Sequence, residues 1–75
     1  SRKVCITGKL DMTRGDLAGR LESKGFKVTS TVTKDCYALI TGGDTTSSKY
    51  KRAVTLGVTI IDYWSSQKDV LSGDF

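Results

Sequence analysis

Histidine and proline are absent from this sequence, and only two of its 75 residues are cysteine. Without histidine, general acid–base catalysis would fall to carboxylates, lysine or cysteine, and neither a carboxylate pair nor a cysteine beside a base is visible. Cys5 and Cys36 are too few and too far apart for a zinc pattern, so we expect no metal and no cofactor and interpret both thiols as structural. These absences argue against an enzyme and favour a binding module.

Long apolar segments are also missing. No run approaches the roughly 20 residues that a membrane helix requires, and no signal-peptide pattern opens the chain. We therefore expect an intracellular protein with no membrane partner, in the nucleus of a eukaryote or in the cytoplasm or nucleoid of a bacterium. Because low-complexity sequence is absent, we expect no internal linker and a single small domain over residues 1–75. The first residue is Ser1 rather than methionine, so we expect a piece of a longer protein.

Positive charge is concentrated in the first two thirds of the chain. Residues 1–52 contain eleven of the twelve lysines and arginines but five of the eight acids, a net charge of +6, whereas residues 53–75 carry −2. This asymmetry indicates a polyanionic partner approached through the first part of the chain. A solvated basic surface without a partner explains the same distribution, and charge alone leaves both alternatives open.

Two short apolar runs end alike, namely Val4–Gly8 (VCITG) and Ala38–Gly42 (ALITG). Apolar runs of this length, alternating with helical patterns, are typical of buried parallel strands. The carboxyl ends of such strands lie at one edge of the sheet, where helix N-termini also point. We therefore expect the two Thr-Gly corners to face each other at that edge and to form an anion site.

Turn and capping residues divide the chain in the order β-α-β-β-α-β-α. The predicted strands are Lys3–Thr7, Phe26–Thr29, Tyr37–Thr41 and Val58–Ile61. Each is a short apolar or β-branched run bounded by polar residues or glycine.

Capping residues place the three helices. Thr13 and Asp16 have capping-box spacing before a first helix that ends near Gly25. Ser48 is the predicted N-cap of a second helix that runs through Leu56. Asp62 is the predicted cap of a third helix, which would carry Tyr63, Trp64 and Leu71.

Several short motifs occur in an order that resembles a known family. They are a strand ending in Thr-Gly, Met-Thr-Arg-x-Asp, Lys-Val-Thr before Val-Thr-Lys, Tyr-x-Leu-Ile, a Gly-Asp loop, Ser-Lys-x-x-(Lys/Arg)-Ala, and Leu-Gly-Val-x-Ile-Ile-Asp before a tryptophan. From about Lys3 to Leu71 they resemble BRCT domains, most closely those of NAD-dependent DNA ligases and of the large subunit of replication factor C. The resemblance implies an α/β fold, a four-stranded parallel sheet in the order 2-1-3-4 flanked by three helices.

The resemblance also implies a phosphate site. Phosphate-binding BRCT domains use a Ser or Thr ending the first strand, the next Gly and a Lys starting the second helix, which here are Thr7, Gly8 and Lys49. In the ligase-like branch an arginine starting the first helix joins them, and Arg14 occupies that position. A hydroxyl, an open backbone N–H and two cations are suitable donors for phosphate oxygens. Alternatively, Thr7 and Gly8 serve only the turn, and the two cations are solvated first-turn residues.

Other residues allow two interpretations each. Four cations lie in or beside the loops at the same edge and could follow a nucleic-acid backbone, although ordinary solvated surface explains them equally well: Lys9, Lys34, Lys51 and Arg52. Trp64 and Tyr63 suggest base stacking. The resemblance instead implies that the tryptophan packs in the core, and we expect Tyr37, which begins a buried strand, to be in the core as well.

These observations predict a non-catalytic BRCT module that binds DNA and recognises a 5′-phosphate at an end or nick. It would belong to a DNA ligase or to another replication or repair protein. One alternative is a phosphopeptide-binding module that uses the same pocket for a phosphoprotein. Another is a scaffold that docks on other domains of its parent protein.

Overall fold

A computed structural model describes residues 2–75 and shows the predicted order of elements. The strands are β1 (Arg2–Thr7), β2 (Phe26–Val28), β3 (Cys36–Thr41) and β4 (Thr59–Asp62). The helices are α1 (Arg14–Ser23), α2 (Ser48–Leu56) and α3 (Gln67–Ser72). Every predicted strand is present, with bounds that agree to within one residue.

The four strands form one parallel sheet in the order β2-β1-β3-β4, which confirms the predicted architecture. Thr7 at the end of β1 is in register with Thr41 at the end of β3, and Thr41 is in register with Asp62 at the end of β4. Because all strands run in the same direction, their last residues lie together at what we call the carboxyl edge of the sheet. Their first residues lie at the amino edge.

Two hydrophobic clusters cover the two faces of the sheet. On one face α1 and α3 pack over a larger cluster, which contains Val4, Ile6, Leu17, Leu21, Phe26, Ala38, Ile40, Tyr63 and Val70. On the other face α2 covers a smaller cluster of Cys5, Val32, Cys36, Leu39 and Ala53. Successive residues of β1 alternate between these clusters, as the period of two in a strand requires.

The N-cap of α1 is the predicted one, but that of α2 differs by one residue. Thr13 Oγ1 accepts the Asp16 N–H at 3.1 Å. In α2 the cap is Ser47 rather than Ser48: its backbone is extended and its Oγ accepts the Tyr50 N–H at 3.1 Å. Two adjacent serines offer equivalent cap chemistry, so the local sequence does not choose between them. The extended backbone at Ser47 makes Ser48 the first helical residue.

The predicted start of the third helix is wrong. Asp62 is the last residue of β4, and α3 begins only at Gln67, after a turn in which the Asp62 carboxylate accepts the Ser65 N–H at 3.2 Å. The Tyr63 N–H donates to Thr41 O at 2.8 Å, which anchors the first residue of this turn to β3. Tyr63 enters the larger cluster, against which Ile61 also packs.

Two aromatic side chains expected in the core lie at the surface instead. Trp64 is 49% exposed and lies in the turn that follows β4. Tyr37 is 40% exposed, at the amino edge, where the Arg2 guanidinium lies 4.7 Å from its ring centroid. Its ring is only partly covered, by Phe26 and Phe75 at centroid distances of 6.4 and 6.3 Å.

We predict that Gly42→Ala destabilises the fold by at least about 2 kcal/mol. A Cβ at this position would lie 2.0 Å from the Lys9 carbonyl oxygen, so one of two packed loops would have to move. Gly19→Ala is the matched control, because a Cβ at Gly19 in α1 meets nothing within 4 Å and should stabilise the helix by about 0.5–1 kcal/mol. Urea unfolding of both variants measures the difference, and equal stabilities would contradict this account.

The two thiols should be unreactive in the native protein. Cys5 and Cys36 are buried with their sulfurs 3.8 Å apart, and burial, with a smaller contribution from Cys5, raises the pKa of Cys36 to about 11. At pH 8 we expect a thiol reagent such as dithionitrobenzoate to react slowly with the folded chain and rapidly with both cysteines in urea. Fast labelling of the native protein would show that the smaller cluster opens readily.

Candidate nucleic-acid interface

The two Thr-Gly corners meet at the carboxyl edge, as predicted. The Gly42 N–H donates to Thr7 O at 2.9 Å, and the Gly42 Cα packs against the backbone of Lys9. Gly8 has a φ of +84°, which favours glycine, and it too lies against the Gly42 backbone. The loops that follow β1 and β3 are therefore in direct backbone contact, and they lead to the first turns of α1 and α2.

Thr7 lies at the base of this edge rather than in the open. Its side chain is 4% exposed, and its Oγ1 donates to Ser47 Oγ at 3.3 Å. Because Ser47 is the N-cap of α2, this hydrogen bond ties the end of β1 to the start of that helix. The Thr7 hydroxyl thus positions the helix that carries Lys49.

Arg14 and Lys49 line one pocket of about 290 Å³, which we call the Arg14–Lys49 pocket. Lys49 extends across the end of β1, where its Nζ donates to Ile6 O at 3.3 Å. Ile6 lines the pocket as well, and the remaining lining residues come from the end of β2 and the residues after it: Val28, Thr29 and Ser30. Among the described residues, no acidic side chain lines this pocket. Two predicted site cations from different helices therefore face one concave surface.

Gly8 and Arg14 line a neighbouring pocket of about 500 Å³, which we call the glycine pocket. Its other lining residues are Lys9, Gly42, Gly43 and Asp44. Arg14 borders both pockets, so they are adjacent. The structure therefore brings Gly8, Arg14 and Lys49 together, and the buried Thr7 lies beneath them.

The end of β2 contributes residues that the sequence analysis missed. Thr29 and Ser30 line the Arg14–Lys49 pocket, and the Thr29 hydroxyl is held by Cys5 Sγ at 3.2 Å and by Thr31 O at 3.4 Å. The Thr29 N–H donates to Val4 O at 2.9 Å, which holds this segment beside β1. Since β2 is a parallel neighbour of β1, the rule that placed Thr7 and Thr41 at the carboxyl edge applies equally to Thr29. The predicted strand order was sufficient to find it.

The electrostatics of this edge favour an anion. Both α1 and α2 begin here, so the positive ends of two helix dipoles point toward the pockets. The first turn of α2 contains no acid, and that of α1 contains only Asp16. Asp44 is the one negative group lining the glycine pocket among the described residues, and hydrogen bonds from Thr46 lower the pKa of its carboxyl.

The other cations are not equivalent. Lys9 lines the glycine pocket, and Lys51 is exposed in α2. Lys34 is exposed as well, but it lies two residues before the start of β3 and therefore toward the amino edge, so its predicted place at the carboxyl edge is wrong. Arg52 is committed to the fold, since its Nε donates to Val32 O at 2.6 Å and holds the segment between β2 and β3. Of the four cations predicted to follow a nucleic-acid backbone, Arg52 thus has a structural contact of its own.

Neither a cluster of metal ligands nor a membrane-spanning helix is found among the described residues. Across residues 2–75, no three Cys, Asp or Glu side chains are grouped as metal ligands. None of the three described helices has the length and hydropathy to cross a membrane.

Comparison with known proteins identifies the class of fold and the family. The family model described as "BRCA1 C Terminus (BRCT) domain" matches residues 1–63, so the chain belongs to the BRCT family. A structure of Rad4 BRCT1,2 in complex with a Crb2 phosphopeptide superposes with a TM-score of 0.73 at 21% identity, covering 92% of this chain and 40% of that one. This likeness confirms the BRCT fold.

The curated relatives are DNA ligases. A DNA ligase of Limosilactobacillus reuteri (strain DSM 20016) is 44% identical over 68 residues, which cover 89% of this chain. A DNA ligase of Latilactobacillus sakei subsp. sakei (strain 23K) is 45% identical over 62 residues, or 81% of this chain. The matched region is 9% of each ligase, so the chain spans under a tenth of the relatives' length. The predicted resemblance to the ligase branch of BRCT domains is confirmed.

We predict that Arg52→Ala lowers the free energy of unfolding by about 1 kcal/mol, because it leaves the Val32 carbonyl without this donor. Lys51→Ala is the matched control, since it removes the same charge from the adjacent residue of α2, which is exposed. We expect Lys51→Ala to change stability by less than about 0.5 kcal/mol. Urea unfolding compares the two, and a stable Arg52→Ala variant would show that the contact contributes nothing.

Proposed function

We propose that this chain is a non-catalytic module that binds the 5′-phosphate of a DNA end or nick in the Arg14–Lys49 pocket. The observation that carries the proposal is the presence of two cations from separate helix starts on one pocket without an acidic lining residue. A cation at a helix N-terminus is unfavourable by a few tenths of a kcal/mol. Two such placements facing each other are better explained by a bound anion than by solvation.

The chemistry of the pocket suits a terminal phosphate. The Arg14 guanidinium can donate two parallel hydrogen bonds to phosphate oxygens, while Lys49 adds a point charge. A terminal phosphate monoester carries more negative charge and more unsubstituted oxygens than a bridging diester. Ser30 offers a further hydroxyl group, and Gly8 keeps the adjacent backbone unobstructed. We therefore assign the pocket to a phosphorylated end rather than to the backbone of intact duplex.

The remaining cations would hold the DNA beside its end. Lys9 lines the glycine pocket beside the proposed phosphate site, and Lys51 in α2 would contribute more distant charge, whereas Lys34 lies toward the amino edge. Contacts of this kind supply affinity without reading sequence. The domain would therefore recognise a DNA structure, not a base sequence.

The ligase relatives indicate the setting of this activity. Because they are named as DNA ligases, we propose that this chain works within a DNA ligase and that any catalysis belongs to the rest of that protein. A 5′-phosphate at a nick is one of the two ends that a DNA ligase joins. A module that binds this group would help hold the nicked DNA.

A phosphoserine peptide is the second candidate ligand. The related folds of Rad4 BRCT1,2 were solved with Crb2 and Mdb1 phosphopeptides, and this chain covers only 40% and 39% of those chains. A phosphoserine is also a phosphate monoester and would satisfy Arg14 and Lys49 in the same way. Lys9 in the neighbouring glycine pocket favours a polyanion such as DNA over a peptide with one phosphate, and Asp44 in the same pocket opposes part of this charge.

Fluorescence anisotropy tests the proposal with a duplex that has a recessed 5′ end, either phosphorylated or hydroxylated. We expect the phosphate to strengthen binding about ten-fold or more, as two charge-assisted contacts would. Arg14→Ala and Lys49→Ala should remove most of that difference. Lys24→Ala is the control, because it deletes the same charge at the amino edge, where Lys24 lines a separate pocket with Arg2.

The outcomes separate the candidates. Equal binding to both duplexes would contradict 5′-phosphate recognition. Preferential binding to a phosphoserine peptide library, lost in Lys49→Ala, would establish the second candidate instead. A lower salt dependence in Lys9→Ala, by about one unit of the logarithmic slope, is expected if this lysine contacts a backbone phosphate.

A further inference from the structure

Trp64 belongs neither to the hydrophobic core nor to the Arg14–Lys49 pocket. Its side chain is 49% exposed, although tryptophan buries most of its surface in typical folded proteins. It comes two residues after the end of β4 and therefore lies at the carboxyl edge, the same edge as the two pockets. A large apolar ring at the surface beside basic pockets points to a ligand with a flat apolar part.

Three contacts hold the indole in one orientation. Its Nε1–H donates to both Lys9 O and Gly42 O, at 3.2 Å each. The Tyr63 ring lies nearly perpendicular to it, at 80° and a centroid distance of 5.4 Å. Tyr63 is itself fully buried and donates to Asp11 at 2.5 Å. Because the ring is already fixed, a ligand that stacks on it would lose little additional side-chain entropy.

The indole contacts two residues of the glycine pocket. Lys9 and Gly42, whose carbonyl oxygens accept the Trp64 N–H, both line that pocket. Arg14 lines it as well and connects it to the Arg14–Lys49 pocket. Along the carboxyl edge the order is therefore the phosphate site, then the glycine pocket, then an exposed aromatic ring.

We propose that Trp64 is a stacking platform for the terminal base of the 5′-phosphorylated strand. The inference rests on the proposed function, since the phosphate in the Arg14–Lys49 pocket would bring its own nucleotide to this edge. A nucleotide combines an anion with a flat ring, and base–aromatic stacking accepts every base, in keeping with binding that ignores sequence. A phosphoserine peptide offers the anion but no such ring.

Trp64 is the only tryptophan, so its fluorescence reports directly on stacking. We would titrate the unmodified chain with the recessed 5′-phosphorylated duplex while following both tryptophan emission and the anisotropy of labelled DNA. We expect emission to be quenched as the complex forms. The comparison duplex has the same 5′-phosphate on a terminal abasic nucleotide, and with it we expect weaker binding and little quenching.

Variants separate stacking from the structural role of the indole N–H. Trp64→Leu should weaken binding about five-fold or more, whereas Trp64→Phe keeps a ring and should retain most of the affinity. Tyr37→Leu is the matched control, because Tyr37 is a similarly exposed aromatic residue at the amino edge. Circular dichroism checks that each variant is folded, and the abasic comparison uses the unmodified chain and so needs no variant.

Each result decides the matter. Quenching that depends on the terminal base, with Trp64→Phe binding more tightly than Trp64→Leu, supports the inference. Phosphate-dependent binding without quenching, or equal weakening by both substitutions, overturns it while leaving the proposed function intact. Binding that does not depend on the 5′-phosphate overturns the proposed function and this inference together.

Discussion

The backbone contact between the loops after β1 and β3 is the constraint on which the candidate interface depends. It requires a residue without a side chain at position 42, since the Gly42 Cα packs against Lys9 and the Gly42 N–H donates to Thr7 O at 2.9 Å. These loops lead into α1 and α2, so their separation sets the distance between the helix starts that carry Arg14 and Lys49. The same contact presents two carbonyl oxygens to the Trp64 indole. One close approach thus organises both pockets and the aromatic ring beside them.

Two cations of the candidate interface lower the stability of the helices that carry them. Arg14 and Lys49 each lie in the first turn of a helix, where a cation opposes the helix dipole. Lys49 finds partial compensation in the Ile6 carbonyl, at 3.3 Å from its Nζ. An anion bound between the two cations would relieve the remaining repulsion, so ligand binding should also stabilise the fold. Local features that disfavour the isolated chain are typical of functional positions.

Most of the fold followed from short-range patterns, and the errors fall where two local patterns compete. The apolar runs, the glycines and the Thr13 cap predicted the parallel strands and the first helix, and the family resemblance supplied the order of the strands in the sheet. Ser47 and Ser48 offer the same cap chemistry, so only the observed backbone distinguishes them. The family resemblance placed Trp64 in the core, whereas the structure buries Tyr63 and leaves Trp64 49% exposed in the turn after β4. The contribution of Thr29 and Ser30 was missed because the strand-end rule was applied only to the two Thr-Gly corners.

Charge counted along the sequence overstates what is available to a partner, because several cations are used within the fold. Lys3 forms an ion pair with Asp35 at 2.8 Å, before β3 at the amino edge, and hydrogen bonding from Lys3 and Thr33 lowers the pKa of that carboxyl to about 2. Arg52 donates to Val32 O, and Arg2 lies over the Tyr37 ring. The cations that line pockets at the carboxyl edge are three: Arg14, Lys49 and Lys9. An extended duplex-binding surface would need more charge than that. These three cations and Trp64 would be sufficient for a short contact with one phosphorylated end and its stacked base.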